Sequence, residues 1–192
     1  MSALVLSESS KSKRNSPMYT ILIVFAVLLA AFLLYAASKP NTFRFERSIV
    51  VNAPPEKIFP LVNDFRAWTK WSPWEKLDAD LKRDYAGAAS GVGATYAWLG
   101  DKSGQGRMEI VESTPSSKIG IKLDFIKPMQ ASNKAEFSFI PEAGGGTRVN
   151  WVMTGQNPYM AKVMQTVISM DSFLAKDFES GLAAMKAAAE QN

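Results

Sequence analysis

Large apolar residues recur three or four positions apart through the last part of the chain: Met160, Val163, Val167, Met170, Leu174, Phe178, Leu182 and Met185. That spacing sets side chains on one face of an α-helix. The stretch 158–190 is long for one globular helix, where about 10–14 residues is usual, so there is room for a kink near Ser169 to Ser172. A stripe of this length needs a surface to cover, and the preceding hundred or so residues offer one. Six segments there read as strands: 81–87, 93–100, 104–114, 117–126, 133–142 and 146–155, separated by short runs carrying Gly, Ser and Pro. The alternation is clearest at Ile119, Ile121, Leu123 and Phe125, with Lys118, Lys122 and Asp124 between them. It also turns Ala135, Phe137 and Phe139, then Val149, Trp151 and Met153, to one side. Short breaks imply an antiparallel meander with one greasy face, which the closing helix covers to form a pocket.

Before the meander, Phe43, Phe45, Ile49 and Val51 alternate as in a half-buried strand, interrupted on that face by Arg47. Ala53-Pro54-Pro55-Glu56 then opens a short helix, since Pro is tolerated in a first turn and Glu suits the N-terminal dipole. Its apolar side is Ile58, Phe59, Leu61 and Val62. A second helical piece follows and should end before Pro73. Trp68, Trp71 and Trp74 fall at i, i+3 and i+6, either a wedge in the core or a stacking wall at the mouth of a cavity.

At the other end of the chain the patterning disappears. Residues 18–37 contain no charge and no polar face, and at 1.5 Å per residue they are long enough to cross about 30 Å of hydrocarbon. The expected organisation is a disordered basic lead (1–17), a transmembrane helix (18–37), a linker (38–42) and one folded domain (43–190). A cleaved signal peptide is the competing reading, although its apolar region is usually only about 7–15 residues. Lys11, Lys13 and Arg14 before the span place the N-terminus in the cytoplasm and the domain outside, periplasmic in a Gram-negative cell.

Charge and composition mainly exclude. The net charge of +4 holds +3 within residues 1–39, leaving the domain at +1. No basic face of the kind phosphate backbones require is present, so nucleic acid is not an expected partner. The chain has no Cys and no His, which removes Cys/His zinc sites, thiol nucleophiles and His-based triads. The glycines at 144–146 precede a strand, not a helix N-terminus, so they read as a hairpin turn and not a phosphate loop. No cofactor or metal is expected.

The order strand, two short helices, six-stranded meander and long C-terminal helix resembles the helix-grip fold of the START-like (SRPBCC) superfamily. The stretches VNAPPEKIFPLVNDFRAWTKWSPWEK and SFLAKDFESGLAAMKAAAE carry the likeness. It is most similar to the branch called polyketide cyclase/dehydrase and lipid transport, over residues 43–190. The resemblance implies an α+β fold with a curved antiparallel sheet of about seven strands wrapped round the long helix. It also implies a cavity for an apolar ligand, and no shared catalytic residue. Polar groups that could line such a cavity are Arg47, Tyr96, Arg107 and Asp171.

A lipid or other hydrophobic small molecule is therefore the expected partner, with the membrane as anchor. The inner-face residues expected to meet it are Trp68, Trp71, Tyr96, Trp98, Met108, Phe125, Phe137, Trp151, Met153, Met164 and Met170. The same residues could equally fill a solid core. A cyclase or dehydratase is the enzymatic alternative, with Asp171 as its isolated candidate acid. An envelope interaction or regulatory module is the third, with a protein partner that the chain does not name.

Overall fold

The computed structural model describes residues 17–167 and 170–191, and side chains in all of these except 170–173. Met170 and Asp171, both expected at the site, are among residues whose side chains lie outside that description. The chain divides into two compact units, residues 1–39 and 40–192.

Among the described residues the first unit consists of one helix, α1 (Pro17–Ser38), 22 residues without a charged side chain. Apolar residues point outward all round it: Phe25, Leu28 and Leu34 are each more than 60% exposed. It is long and apolar enough to cross a membrane, a property it shares with N-terminal signal sequences.

The second unit begins with β1 (Thr42–Val51), whose buried and exposed positions alternate as the sequence predicts. Arg47 occupies an inward position without being buried as a bare charge. Its guanidinium lies 4.4 Å from the centroid of Phe45 and its Nε donates to Glu179 at 3.2 Å, so the stem covers apolar surface while the head stays wet. Next comes α2 (Pro55–Asn63), opened by Pro54-Pro55, then two 3-10 turns, Phe65–Lys70 and Pro73–Lys76. The first is started by the Asp64 carboxylate, which accepts from the Arg66 N–H at 2.9 Å. The indole N–H groups of Trp68 and Trp71 donate to Val62 O and Leu61 O at 3.1 and 2.7 Å. They satisfy carbonyls that the end of α2 would otherwise leave orphaned.

Six further strands follow: β2 (Lys82–Gly87), β3 (Ala94–Gly100), β4 (Gly104–Thr114), β5 (Lys118–Lys127), β6 (Ala131–Pro141) and β7 (Thr147–Gln156). They form one antiparallel sheet with β1, in the order β1-β7-β6-β5-β4-β3-β2. Register shifts interrupt the β4–β5 ladder at Gln105/Gly106 and Ile110/Glu112, and irregularities of this kind bend a strand. The run at 144–146 is the β6–β7 hairpin turn, closed by Glu142 N donating to Gly146 O at 2.8 Å.

The C-terminal stretch is two helices, α3 (Tyr159–Val167) and α4 (Met170–Glu190). Only α4 covers the sheet. Phe178, Leu182 and Met185 are fully buried, and Phe178 stacks on Trp151 with centroids 4.0 Å apart. Gly181 permits this approach: a Cβ there would lie 3.1 Å from Pro73 Cδ and 3.2 Å from Trp151 Cζ3. The stripe expected to run the whole length fails on α3, where Met160 and Val167 are 68% and 75% exposed. Helical periodicity establishes that residues share a face; it does not establish which way the face turns.

Candidate functional site

The concave side of the sheet contains both a packed core and a void. Val51, Ile58, Val62, Phe65, Ile119 and Phe137 are among the residues with essentially no exposure, and they seal α2 and the C-terminal half of α4 against the sheet. Between the 3-10 turns, the first turns of α4 and strands β3–β7 of the sheet, a cavity of about 480 Å³ remains. That is within the usual scale of a small-molecule pocket, roughly 300–1,000 Å³.

Its walls follow from strand register. Tyr96, Met108 and Leu123 are direct cross-strand neighbours on β3, β4 and β5, and all three line the cavity. In the adjacent row Trp98 and Phe125 flank Gly106. A Cβ on Gly106 would collide with Trp98 Cζ2 and Cη2, so the glycine is what lets the indole lie across β4. Ala135, Met153 and Trp151 continue the floor on β6 and β7. Trp68 and Trp74 form one side, and Leu174 and Asp177 of α4 the other.

Polar groups collect along the part of the wall built by the second 3-10 turn and the edge strands. Glu75 is 8% exposed, and its carboxylate accepts from the Tyr96 hydroxyl and from Arg83 Nε, both at 2.6 Å. Arg83 also donates to Glu75 O and Leu81 O. The carboxylate is thus held rigidly at the cavity wall. The bond to Glu75 raises the already high pKa of Arg83. Burial, reinforced by the neighbouring carboxylate, pushes the Tyr96 phenol well above its ordinary value, so it remains a neutral donor. Tyr85, stacked on Tyr96 at 5.0 Å, is raised mainly by burial too.

Beside this pair, Asp78 organises the β3–β4 turn. It accepts from Lys102 N at 2.9 Å, Ser103 N at 2.7 Å and the Ser103 hydroxyl. The Ser103 hydroxyl, with the two backbone N–H groups, holds the Asp78 carboxyl below the usual range. Lys102 and Ser103 both border the cavity, so Asp78 fixes part of its rim. Deeper in, Trp151 is 2% exposed, and its indole N–H is the one buried side-chain N or O atom without a hydrogen-bond partner among the described residues.

Of the residues expected from sequence, Trp68, Tyr96, Trp98, Met108, Phe125, Trp151 and Met153 come together on this cavity. Trp71 and Phe137 do not line it. They are 1% and 0% exposed and pack edge to face with centroids 6.0 Å apart, as core behind the wall. The tryptophan triplet is therefore both things: Trp71 is wedge, Trp68 and Trp74 are wall. Met164 is 48% exposed on α3 and does not border the cavity. Arg47 and Arg107 pair with Glu179 and Glu109 and are likewise not among the lining residues. Sequence reasoning missed Glu75, Asp78, Ser72 and Asp177. Glu75 carries a visible signal, an acid directly after the third Trp, but its partner Tyr96 lies 21 residues away.

No match was found among curated proteins. Among solved structures, an X-ray structure of a protein from Chromobacterium violaceum is 19% identical over 79% of this chain and 99% of its own, with a TM-score of 0.54. A Mesorhizobium loti protein is 16% identical over 79% and 98%, with a TM-score of 0.53. The di-domain ARO/CYC BexL from the BE-7585A biosynthetic pathway is 16% identical over 92% of this chain and 62% of its own, with a TM-score of 0.59. These likenesses establish the fold. The sequence profile described as polyketide cyclase / dehydrase and lipid transport matches residues 42–190, which span the sheet, the cavity and both C-terminal helices. With the helix-grip architecture, that match makes this chain a member of the polyketide cyclase / dehydrase and lipid transport family.

Proposed function

We propose that the domain binds a lipid or other hydrophobic small molecule in the cavity between sheet and α4, and that α1 anchors it in the cytoplasmic membrane with its N-terminus inside. The observation that carries the binding reading is the cavity itself, about 480 Å³ lined mostly by aromatic and aliphatic side chains, with a fixed carboxylate on one wall. Such a site favours a largely apolar ligand with one hydrogen-bonding group. Glu75 retains acceptor capacity for a ligand hydroxyl, and the partnerless Trp151 N–H is suited to a ligand oxygen. Anchoring is supported by the length and uniform apolarity of α1 and by the basic residues before it.

Binding is tested by purifying the full chain in detergent and identifying co-purified small molecules by mass spectrometry, beside Ala135→Phe. Ala135 borders the cavity and is 5% exposed, so the added ring occupies the void. One recurrent apolar species in the wild type, lost from the folded variant, is the expected result. No species, or equal recovery from both, would sink the reading. The intact mass of the same sample decides whether the N-terminal helix is retained, and alkaline extraction of membranes decides whether it anchors.

A second reading is favoured by the Glu75–Tyr96 pair. A carboxylate and a neutral phenol in an apolar cavity are the acid and base elements that a cyclisation or dehydration uses. Conversion of the co-purified species on incubation with wild type but not with Glu75→Gln would support it.

A further inference from the structure

Helix α3 is amphipathic in the reverse sense for a domain surrounded by water. Its polar residues face the domain. Lys162 is 6% exposed and its Nζ donates to Asn41 Oδ1 at 2.6 Å. Gln165 Nε2 donates to Asn157 Oδ1 at 2.9 Å. Its apolar residues face out: Tyr159, Met160, Met164 and Val167 are 45%, 68%, 48% and 75% exposed. At 3.6 residues per turn these four positions occupy an arc of about 140°. A surface helix of a soluble protein turns that arc inward, and a contiguous outward apolar face marks a contact surface.

The bonds that bury the polar side also fix where the helix sits along the chain. Asn157 N donates to Asn41 O at 2.7 Å and Asn157 Nδ2 to Pro40 O at 3.1 Å, and Lys162 holds the Asn41 side chain. Pro40 and Asn41 are therefore clamped to the start of α3, and only Lys39 separates them in sequence from the end of α1. Two or three residues span no more than about 10 Å. On the anchoring proposed above, the chain leaves the hydrocarbon near Ser38, and the residues that follow at once are bonded to α3. The helix has no acidic residue to be repelled by an anionic leaflet.

We infer that α3 lies in the interfacial layer of the membrane that α1 crosses, with Met160, Met164 and Val167 inserted among lipid and Lys162 and Gln165 turned to the domain. This rests on the anchoring of α1. The inverted polarity then has a physical cause, because the outward face meets lipid and not water. The helix that follows it is α4, whose Leu174 and Asp177 border the cavity, so the membrane contact adjoins a wall of the ligand site in sequence.

The absence of cysteine makes a direct test available, since each introduced cysteine carries one label. The full chain, reconstituted in phosphatidylcholine/phosphatidylglycerol nanodiscs, is labelled with an environment-sensitive fluorophore at Met164→Cys, at Phe25→Cys in α1, or at Ala143→Cys. Ala143 is exposed in the β6–β7 turn at the far end of β7, about 30 Å from α3 at 3.3 Å per strand residue. With quenchers on the lipid acyl chains, the Phe25 and Met164 labels should each lose about half or more of their emission, as expected for burial some 5–10 Å into the interface or deeper; the Ala143 label should not. Quenching at Phe25 with a water-like Met164 label overturns the placement of α3 and leaves the anchor standing. A Met164 label shielded from water yet insensitive to the quenchers also overturns it, assigning the face to a second copy or another protein. Lack of quenching at Phe25 fails the anchor itself, and the placement of α3 with it.

Discussion

The bond between Tyr96 and Glu75 makes the sharpest claim about how the cavity is built, and a double-mutant cycle tests it. The Tyr96 hydroxyl, on a residue 3% exposed, has the Glu75 carboxylate as acceptor at 2.6 Å. Glu75→Ala leaves that hydroxyl buried without this acceptor, a cost of about 1–3 kcal/mol. Arg83 also loses its partner, but its side chain is 29% exposed and recovers water, so that loss adds no more than about 1 kcal/mol. The expected destabilisation is about 1–4 kcal/mol. Tyr96→Phe removes a hydrogen bond to a charged acceptor, about 1.5–3 kcal/mol, while Glu75 keeps Arg83. The double variant should then fall short of the sum by about 1.5–3 kcal/mol, because the same bond is counted in both single changes. Urea unfolding of the full chain in detergent, followed by far-UV circular dichroism, measures all four corners. A coupling below about 0.5 kcal/mol, the ordinary scatter of independent sites, would mean that the two side chains contribute independently. The carboxylate would then be held by Arg83 alone, and Tyr96 would be a packing residue.

Gly181→Val should lower stability by about 1–3 kcal/mol, read as a fall in melting temperature, because its Cβ would press on Pro73 and Trp151, both rigid rings; an unchanged melt would mean that α4 can rise from the sheet. Phe178→Ala should cost more, about 3–5 kcal/mol, since the ring is fully buried between Phe45 and Trp151. Asp78 gives a pH prediction. Its folded-state pKa is depressed, so its contribution is present above the unfolded value of about 3.9 and is lost as pH falls through the lower folded value. Asp78→Asn should therefore show a shallower acid limb below about pH 4 in thermal melts, and hydrogen exchange at the Lys102 and Ser103 amides should rise in it at neutral pH. Equal acid limbs for both proteins would remove Asp78 from the rim.

Much of the fold was legible because the relevant periodicities are local. Ile119, Ile121 and Leu123 alternate in sequence and are all buried. The six strands of the meander begin and end within two residues of where their sequence pattern places them. The cavity lining was legible in part for the same reason: of the eleven residues expected to meet a ligand, seven border the cavity, on inward-facing strand positions or in the tryptophan cluster. Trp71 and Phe137 show the limit. Facing inward is decided by the pleat or the turn, but bordering a void and filling the core are indistinguishable at that level.

Local patterning and composition suffice to show that residues 18–37 form an apolar helix, that a seven-stranded antiparallel sheet is closed by a C-terminal helix, and that no His or Cys chemistry is possible. Each of these depends on composition or on spacing of two or 3.6 residues, which every stretch of chain carries within itself. Tertiary structure alone decided that Glu75 meets Tyr96 and Arg83, that a void of about 480 Å³ lies beside Trp98 and not around Phe137, and that α3 turns its methionines outward. Those outcomes depend on which distant segments meet and how completely their volumes fill the space between them. The direction a helix face turns and the size of a gap are properties of the packed assembly, and no local repeat encodes them.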